Sequence, residues 1–363
     1  MLKFIYAFFI ISILVALNSC GYFQKPAAGR EDEIIIVADS LEYQALLPSL
    51  DSTFEKIIYT PQPEKLFNLK RISQSNLERY KDRKNIIIVA PFNSNSNTAK
   101  FIRAAVDSKV KNAILSDKVF EVTKYNLWAR GQLVMLLTAP TIEQLLSKIM
   151  KEKDNLLYAF QKVSDKRLFA GLYNAKFEQK NIEGKFLKDY GWIIYVDADY
   201  QVAQNNAGDN FVWLRRGANT DMERWIFVHW INNASPAYLN ADSICSIRNK
   251  LTEKYYRTSD DSAYAAIAGS YYTTSEVNFQ GNYALLTQGL WELDIKGMGG
   301  PFLNYTFYDE KTHRIYMLDG SIYAPKYYKR NLIQQMDVML QSFQTELQLS
   351  KDRKEILLAA AGN

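Results

Sequence analysis

Histidine and cysteine supply much of the acid–base, thiol and transition-metal chemistry that proteins perform near neutral pH, and this sequence has only two of each. His229 sits in the strand-like run Trp225-Ile226-Phe227-Val228-His229-Trp230, and His313 follows a charged loop. Neither stands beside a serine, cysteine or acid in a familiar nucleophile arrangement. Both are read as structural or surface residues, and no catalytic residue, metal site or cofactor is expected. Long basic blocks are missing too. Lys81-Asp82-Arg83-Lys84 and Lys351-Asp352-Arg353-Lys354 are each broken by an acid, and a formal net charge of +5 over 363 residues leaves no nucleic-acid footprint. What the chain does have is apolar material. At 48% hydrophobic and 13% aromatic residues it can bury one large core or two ordinary ones.

The N terminus is the most uneven stretch. Lys3 precedes an apolar run from Phe4 to Leu17 that only Ser12 interrupts. The run is shorter than the roughly 20 residues a membrane-spanning helix needs, and small residues follow it, so it reads as a removable signal peptide over 1–19. The sequence Leu17-Asn18-Ser19-Cys20-Gly21 resembles the lipobox of bacterial lipoproteins. By that resemblance Cys20 is lipidated and begins the mature chain. Each buried methylene contributes about 0.8 kcal/mol, so two or three acyl chains hold a protein at a membrane effectively for good. Residues 20–30 then form a lipidated cysteine and flexible tether of at most about 35 Å. No acid occurs in Gly21-Tyr22-Phe23-Gln24-Lys25, unlike lipoproteins sent to the cell surface. The expected address is therefore the inner leaflet of the outer membrane, facing the periplasm. Cys245 has no partner once Cys20 carries lipid. It lies at the edge of the apolar face of a helix expected over 240–256, as a packed thiol.

The first half alternates strand and helix signals. Glu33–Ala38, Asn85–Ala90 and Gln132–Thr138 read as buried strands. Helices are expected from Asp39 through Phe54, over 98–110, and from the Thr141/Gln144 capping pair through Phe160. An α/β domain with a long helix is assigned to 31–183. Strands are then expected at Gly191–Val196, Asn210–Arg216, Arg224–Ile231, Asn282–Trp291, Pro301–Tyr308 and Arg314–Tyr323, with helices over 240–256 and around Leu332–Leu347. This gives an antiparallel α+β domain over 184–350, a sheet covered by helices, and a charged, Ala-rich tail over 351–363. The fold class is α+β.

Two resemblances attach to these residues. Ile34–Ser40, Asn85–Val89, Trp128 with Gln132-Leu133-Val134, and the block from Gly289-Leu290-Trp291 through Gly299-Gly300-Pro301-Phe302 to Tyr323-Ala324-Pro325 resemble a family of envelope lipoproteins of the Bacteroidota. That family is described only as a domain of unknown function (4837). The resemblance implies an address and no mechanism. The second half is also similar in element order to the PsbP-like fold, an αβα sandwich found in accessory and assembly proteins, with a tryptophan-bearing first strand and a closing helix ending in Ser342-Phe343.

Within these elements, Gly297-Met298-Gly299-Gly300-Pro301-Phe302 is the most distinctive run. Its amides can form an anion nest, but it lacks the Lys-Ser/Thr ending of a phosphate loop. It reads either as a tight inter-strand connection or as a recognition loop. In the second reading Trp291, Gly299, Gly300, Pro301, Phe302 and Tyr305 form a ligand or partner surface of flat aromatic faces. Asp39 reads as the N-cap of the helix that follows it, with a ligand role at the sheet end as the alternative. Asp197 and Asp199 read as a solvated strand end. The function expected is a membrane-anchored, non-catalytic accessory protein that meets another envelope protein. A glycan or small-ligand binder using the Trp291 surface is the alternative, and an unrecognised hydrolase the second.

Overall fold

The computed structural model describes residues 24–362 apart from 59 and 296; Cys20 and the apolar run before it lie outside the described residues. The chain divides into two compact units. One comprises residues up to Lys56 together with Lys65–Arg167, the other Ile57–Glu64 together with Leu168–Asn363.

The first unit is built on β1 (Glu33–Val37), α1 (Ser40–Phe54), β4 (Asn68–Ile72), α2 (Leu77–Tyr80), β5 (Asn85–Val89), α3 (Asn97–Ala105), α4 (Ser108–Leu115), β6 (Glu121–Tyr125), β7 (Leu133–Leu137), α5 (Ile142–Lys151) and α6 (Lys153–Leu172). The short strands β2 (Ile57–Ile58) and β3 (Glu64–Lys65) pair with each other between α1 and β4. The main sheet runs β4-β1-β5-β7-β6, parallel except for β6 against β7. Parallel strands are covered on both faces, and β1 meets that demand with four consecutive residues. Ile34 and Ile36 pack with Leu46, Leu145 and Phe160 on one side, Ile35 and Val37 with Ile102 and Ile114 on the other. The helix expected over 98–110 is two helices, because Val106 is extended and Asp107 caps a new start through Val110 N. The capping box at Thr141 and Gln144 forms as expected.

The N-terminal segment is not a free tether down to Arg30. Ala27 N donates to Arg130 O, Ala28 N to Asp82 O, Lys84 N to Ala28 O and Arg130 N to Lys25 O, at 2.8–3.0 Å. Glu31 then accepts from Lys84 at 2.7 Å, Arg167 at 2.8 Å and Ser164 at 2.9 Å. Burial opposes ionisation there, but Arg167 and Lys84 hold its carboxyl below the usual range.

The second unit carries α7 (Lys180–Tyr190), β8 (Trp192–Ile193), β9 (Tyr200–Asn206), β10 (Phe211–Arg216), β11 (Glu223–Ile231), α8 (Ala241–Tyr255), β12 (Ala265–Phe279), β13 (Asn282–Leu293), β14 (Gly299–Asp309), β15 (Arg314–Tyr323), α9 (Arg330–Leu340), β16 (Gln344–Thr345) and α10 (Lys351–Ala361). Its antiparallel sheet runs β12-β13-β14-β15-β11-β10-β9. Phe186 of α7 and Met336 and Leu340 of α9 pack on one face; Ile244 and Leu251 of α8 pack on the other. This is the helix-covered antiparallel sheet expected. The strand expected at 191–196 is reduced to β8, which pairs with β16 instead of joining the main sheet. Glu64 accepts from Lys329 N and Arg330 N at 2.8–2.9 Å, capping the start of α9 from 265 residues earlier in the chain.

The division between the units falls inside α6, before the boundary expected at 183, and residues 351–361 are a packed helix and not a tail. Leu357 of α10 is buried against Leu187 and Ile193. A side chain at Gly184 would bring its Cβ to 2.1 Å from Leu357 O, so only glycine lets α7 and α10 approach this closely. Beside it, Glu183 accepts from Val196 N at 2.9 Å and from Arg353 at 2.7 Å, and Arg353 also pairs with Glu178. Burial, with Glu178 nearby, pushes the Glu183 carboxyl up from 4.5 to about 8 against the pull of Arg353. A carboxyl raised by folding gives stability that is complete below about pH 4.5 and lost as pH rises through about 8. Urea titrations of the wild type should therefore show stability falling across that window, and Glu183→Gln should flatten the fall. Parallel losses in both proteins would contradict the assignment.

Candidate functional site

The six residues expected to form an aromatic recognition surface are inside the second unit. Gly299 and Gly300 are the first residues of β14, paired with Glu292 and Trp291. A Cβ at Gly300 would lie 1.9 Å from Ile322 O and 3.1 Å from Trp291 Nε1, so glycine is required by close packing and not by a ligand. Trp291 is 1% exposed and donates through Nε1 to Ile322 O. Pro301 is buried. Phe302, 2% exposed, belongs to the core under α8, and Tyr305, with its hydroxyl donating to Asp337 at 2.7 Å, belongs to the core under α9. Strand alternation thus sends the rings to opposite faces. No common surface results.

The ring face of Phe302 is taken by the Arg248 guanidinium, 3.9 Å from its centroid. Arg248, from α8, donates through Nε to Asp319 Oδ2 at 2.7 Å and through Nη2 to Ser321 Oγ at 3.0 Å. Asn304 Nδ2 and Ser321 Oγ also donate to Asp319, and Thr306 Oγ1 donates to Asn304. Arg248 and Asp319 are both fully buried. The network joins one helix to two strands in a place solvent does not reach, so its chemistry is structural.

In the first unit, the chain leaves β1 towards β4 on one side, while β5 lies on the other. Clefts at this kind of switch point commonly bind ligands. Here protein groups fill it. Asp39 stands at the N-cap position of α1 but makes no side-chain bond to that helix. Its Oδ2 accepts from Thr98 N at 3.0 Å, at the start of α3. Ser96 Oγ caps the same helix through Ala99 N, Ser94 Oγ meets Glu42, and Arg103 binds the carbonyls of Phe92 and Ser94. Asp39 is therefore a helix cap as expected, but of a different helix.

The remaining residues singled out from sequence stay apart. His229 Nδ1 is 3.0 Å from Asn210 O, and burial pushes its pKa down. His313 Nδ1 is 3.0 Å from the Tyr308 hydroxyl. Asp199 pairs with Arg216, and burial raises its carboxyl. Asp197 accepts from Ala198 N. Burial pushes the half-buried Cys245 thiol up, which disfavours the nucleophilic thiolate.

One feature escaped the sequence. Along the edge strand β4 runs a cleft of about 340 Å³ lined by Lys70, Arg71, Ile72, Ser73, Asn76, Arg79 and Tyr80. It holds three cations and no carboxylate. Arg71 is fixed by Nε donating to Ala38 O at 3.1 Å, and Lys70 Nζ lies 4.9 Å from the centre of the Tyr80 ring. Glu78, the acid nearest in sequence, faces Lys81 at 2.7 Å. The basic residues fall in two groups separated by a short helical turn, so no contiguous motif announces them.

Removing one partner of the buried pair leaves an uncompensated charge, which costs about 3–5 kcal/mol. Asp319→Ala should lower the unfolding free energy by that amount, measured by chemical denaturation. A loss below about 1 kcal/mol would mean that the pair does not hold α8 to the sheet.

Residues 178–342 match a family described as Domain of unknown function (DUF4837), and residues 27–171 match a second, Domain of unknown function (DUF8532). The segments Ile34–Ser40 and Asn85–Val89, read above as part of one family, thus fall in a separate one. No curated protein matches the chain. Among solved structures, the Ran-binding protein Mog1p of Saccharomyces cerevisiae is similar at 12% identity over 43% of this chain and 90% of its own, with a TM-score of 0.29. A mutant of protein Mog1 gives the same identity and coverage with a TM-score of 0.28. The chain is similar in sequence, over its two halves in turn, to two families whose function is unknown.

Proposed function

We propose that the protein is a Bacteroidota envelope lipoprotein, anchored through Cys20 in the inner leaflet of the outer membrane, that acts as an accessory protein towards another envelope component. The observation that carries this reading is the stitching of Lys25–Ala28 to Asp82, Lys84 and Arg130. Five peptide steps separate Cys20 from Lys25, a reach of about 18 Å at most. An acyl chain on Cys20 would therefore hold the first unit directly against the lipid surface, which suits a protein whose work is to be kept in one place. The lipobox-like sequence around Cys20 supplies the chemistry. Of the alternatives, glycan binding loses its aromatic surface to the core. A hydrolase using Asp39 would have to free a carboxylate already bound to Thr98 N.

Cys20→Ala should abolish incorporation of labelled palmitate and leave a precursor that keeps residues 1–19, seen as a larger band on a gel. A wild-type protein that takes up no label and fractionates as soluble would sink the anchor. Crosslinking of the native protein in cells, followed by pull-down, should recover one reproducible envelope partner. Recovery of the chain alone would sink the accessory role.

A further inference from the structure

The cleft beside β4 has an electrostatic character that the fold does not require. Lys70, Arg71 and Arg79 all line this space, Lys70 and Arg71 from successive positions of β4, and no acidic side chain lines it. Among the described residues none of the three is in an ion pair, whereas Lys81, Lys84, Arg167, Arg215 and Arg216 all are. Like charges held together repel, so such a cluster lowers stability unless an anion answers it. Two of the three are positioned. Arg71 has its Nε committed to Ala38 O, which leaves the end of its planar fork for a ligand. Lys70 is drawn over the Tyr80 ring, whose other cationic neighbour is Arg83, 5.6 Å from the ring centre.

Two guanidinium forks and an ammonium match the several oxygens and double charge of a phosphate group, whereas one carboxylate would leave most donors idle. Ser73 and Asn76, hydrogen-bonded to each other at 3.0 Å, add neutral polar groups on the same wall. A volume of about 340 Å³ leaves space beyond a phosphate for the group that bears it. We infer that this cleft is a binding site for a phosphate-bearing ligand, with Lys70, Arg71 and Arg79 as its cationic contacts. The inference does not depend on the lipid anchor. A soluble phosphate ester and a phospholipid headgroup present the same chemistry, and they are separated by experiment.

Thermal unfolding of the full chain would be followed against inorganic phosphate at constant ionic strength. The wild type should be stabilised in a saturable way. Lys70→Ala/Arg79→Ala, which changes exposed side chains and spares Arg71, should bind at least about tenfold more weakly. Lys70→Arg/Arg79→Lys, which keeps the charge, should retain most of the response. In a second arm the mature chain, beginning at residue 20 and carrying Cys20→Ala, would be floated with phosphatidylcholine vesicles, with and without phosphatidylglycerol. Flotation that needs phosphatidylglycerol, is lost in the alanine pair and is competed by phosphate identifies a headgroup as the source. A phosphate response without flotation identifies a soluble ester. No response of the wild type in either arm, or equal responses of wild type and alanine pair, overturns the site. Because the anchor is removed in the second arm, these results are independent of whether Cys20 is lipidated.

Discussion

The pairing of Arg248 with Asp319 sets the terms for the second unit. Two charges taken wholly out of water cost several kcal/mol each, a cost that attraction offsets only when the remaining hydrogen-bonding capacity is met. Ser321 and Asn304 supply acceptors and donors from β15 and β14, and the Phe302 ring takes the guanidinium face, while the buried Arg248 Nη1 has no hydrogen-bond partner among the described residues. Helix α8 is thereby fixed at one rotation over one pair of strands. With that face closed, Trp291 and Phe302 have nowhere to go but the core. The expectation of a recognition surface fails for the same reason that the unit is well defined.

Both units satisfy buried helix starts with carboxylates from distant parts of the chain. Asp39 serves α3 and Glu64 serves α9. An acceptor at a helix N terminus satisfies otherwise unpaired amides and meets the positive end of the helix dipole. Used this way, acids that sequence alone marks as possible reactive groups become part of the frame.

What could be read from sequence follows physical strength of signal. Runs such as Ile86–Val89 are β-branched and apolar throughout, because a central parallel strand is buried on both faces, and they are recognisable without context. Edge strands are not. Asn68–Ile72 is mostly polar because one side has no neighbour, and Ala265–Phe279 mixes Ala, Gly, Thr and Tyr without a clean alternation. Both were missed. The charged helix Lys351–Ala361 reads as a tail because Leu357 is the one buried side chain on it, and one leucine makes no pattern. Asp39 reads as a cap, but only the fold reveals which amide it meets. The cleft was illegible because its cations come together only when β4 and the following turn are placed side by side.

The excursion of residues 57–64 bears on the order of assembly. The polypeptide crosses between units three times, after Lys56, Glu64 and Arg167. Domains made at the ribosome tend to condense as they emerge, N-terminal first. Here a short loop of the early product has to wait until Lys329 and Arg330 have been made before Glu64 finds its amides. A loop from the first half of the gene product thus completes the start of a helix in the second half. A cut at the sequence boundary between them would leave one piece holding an orphan loop and the other a helix with its first amides unanswered.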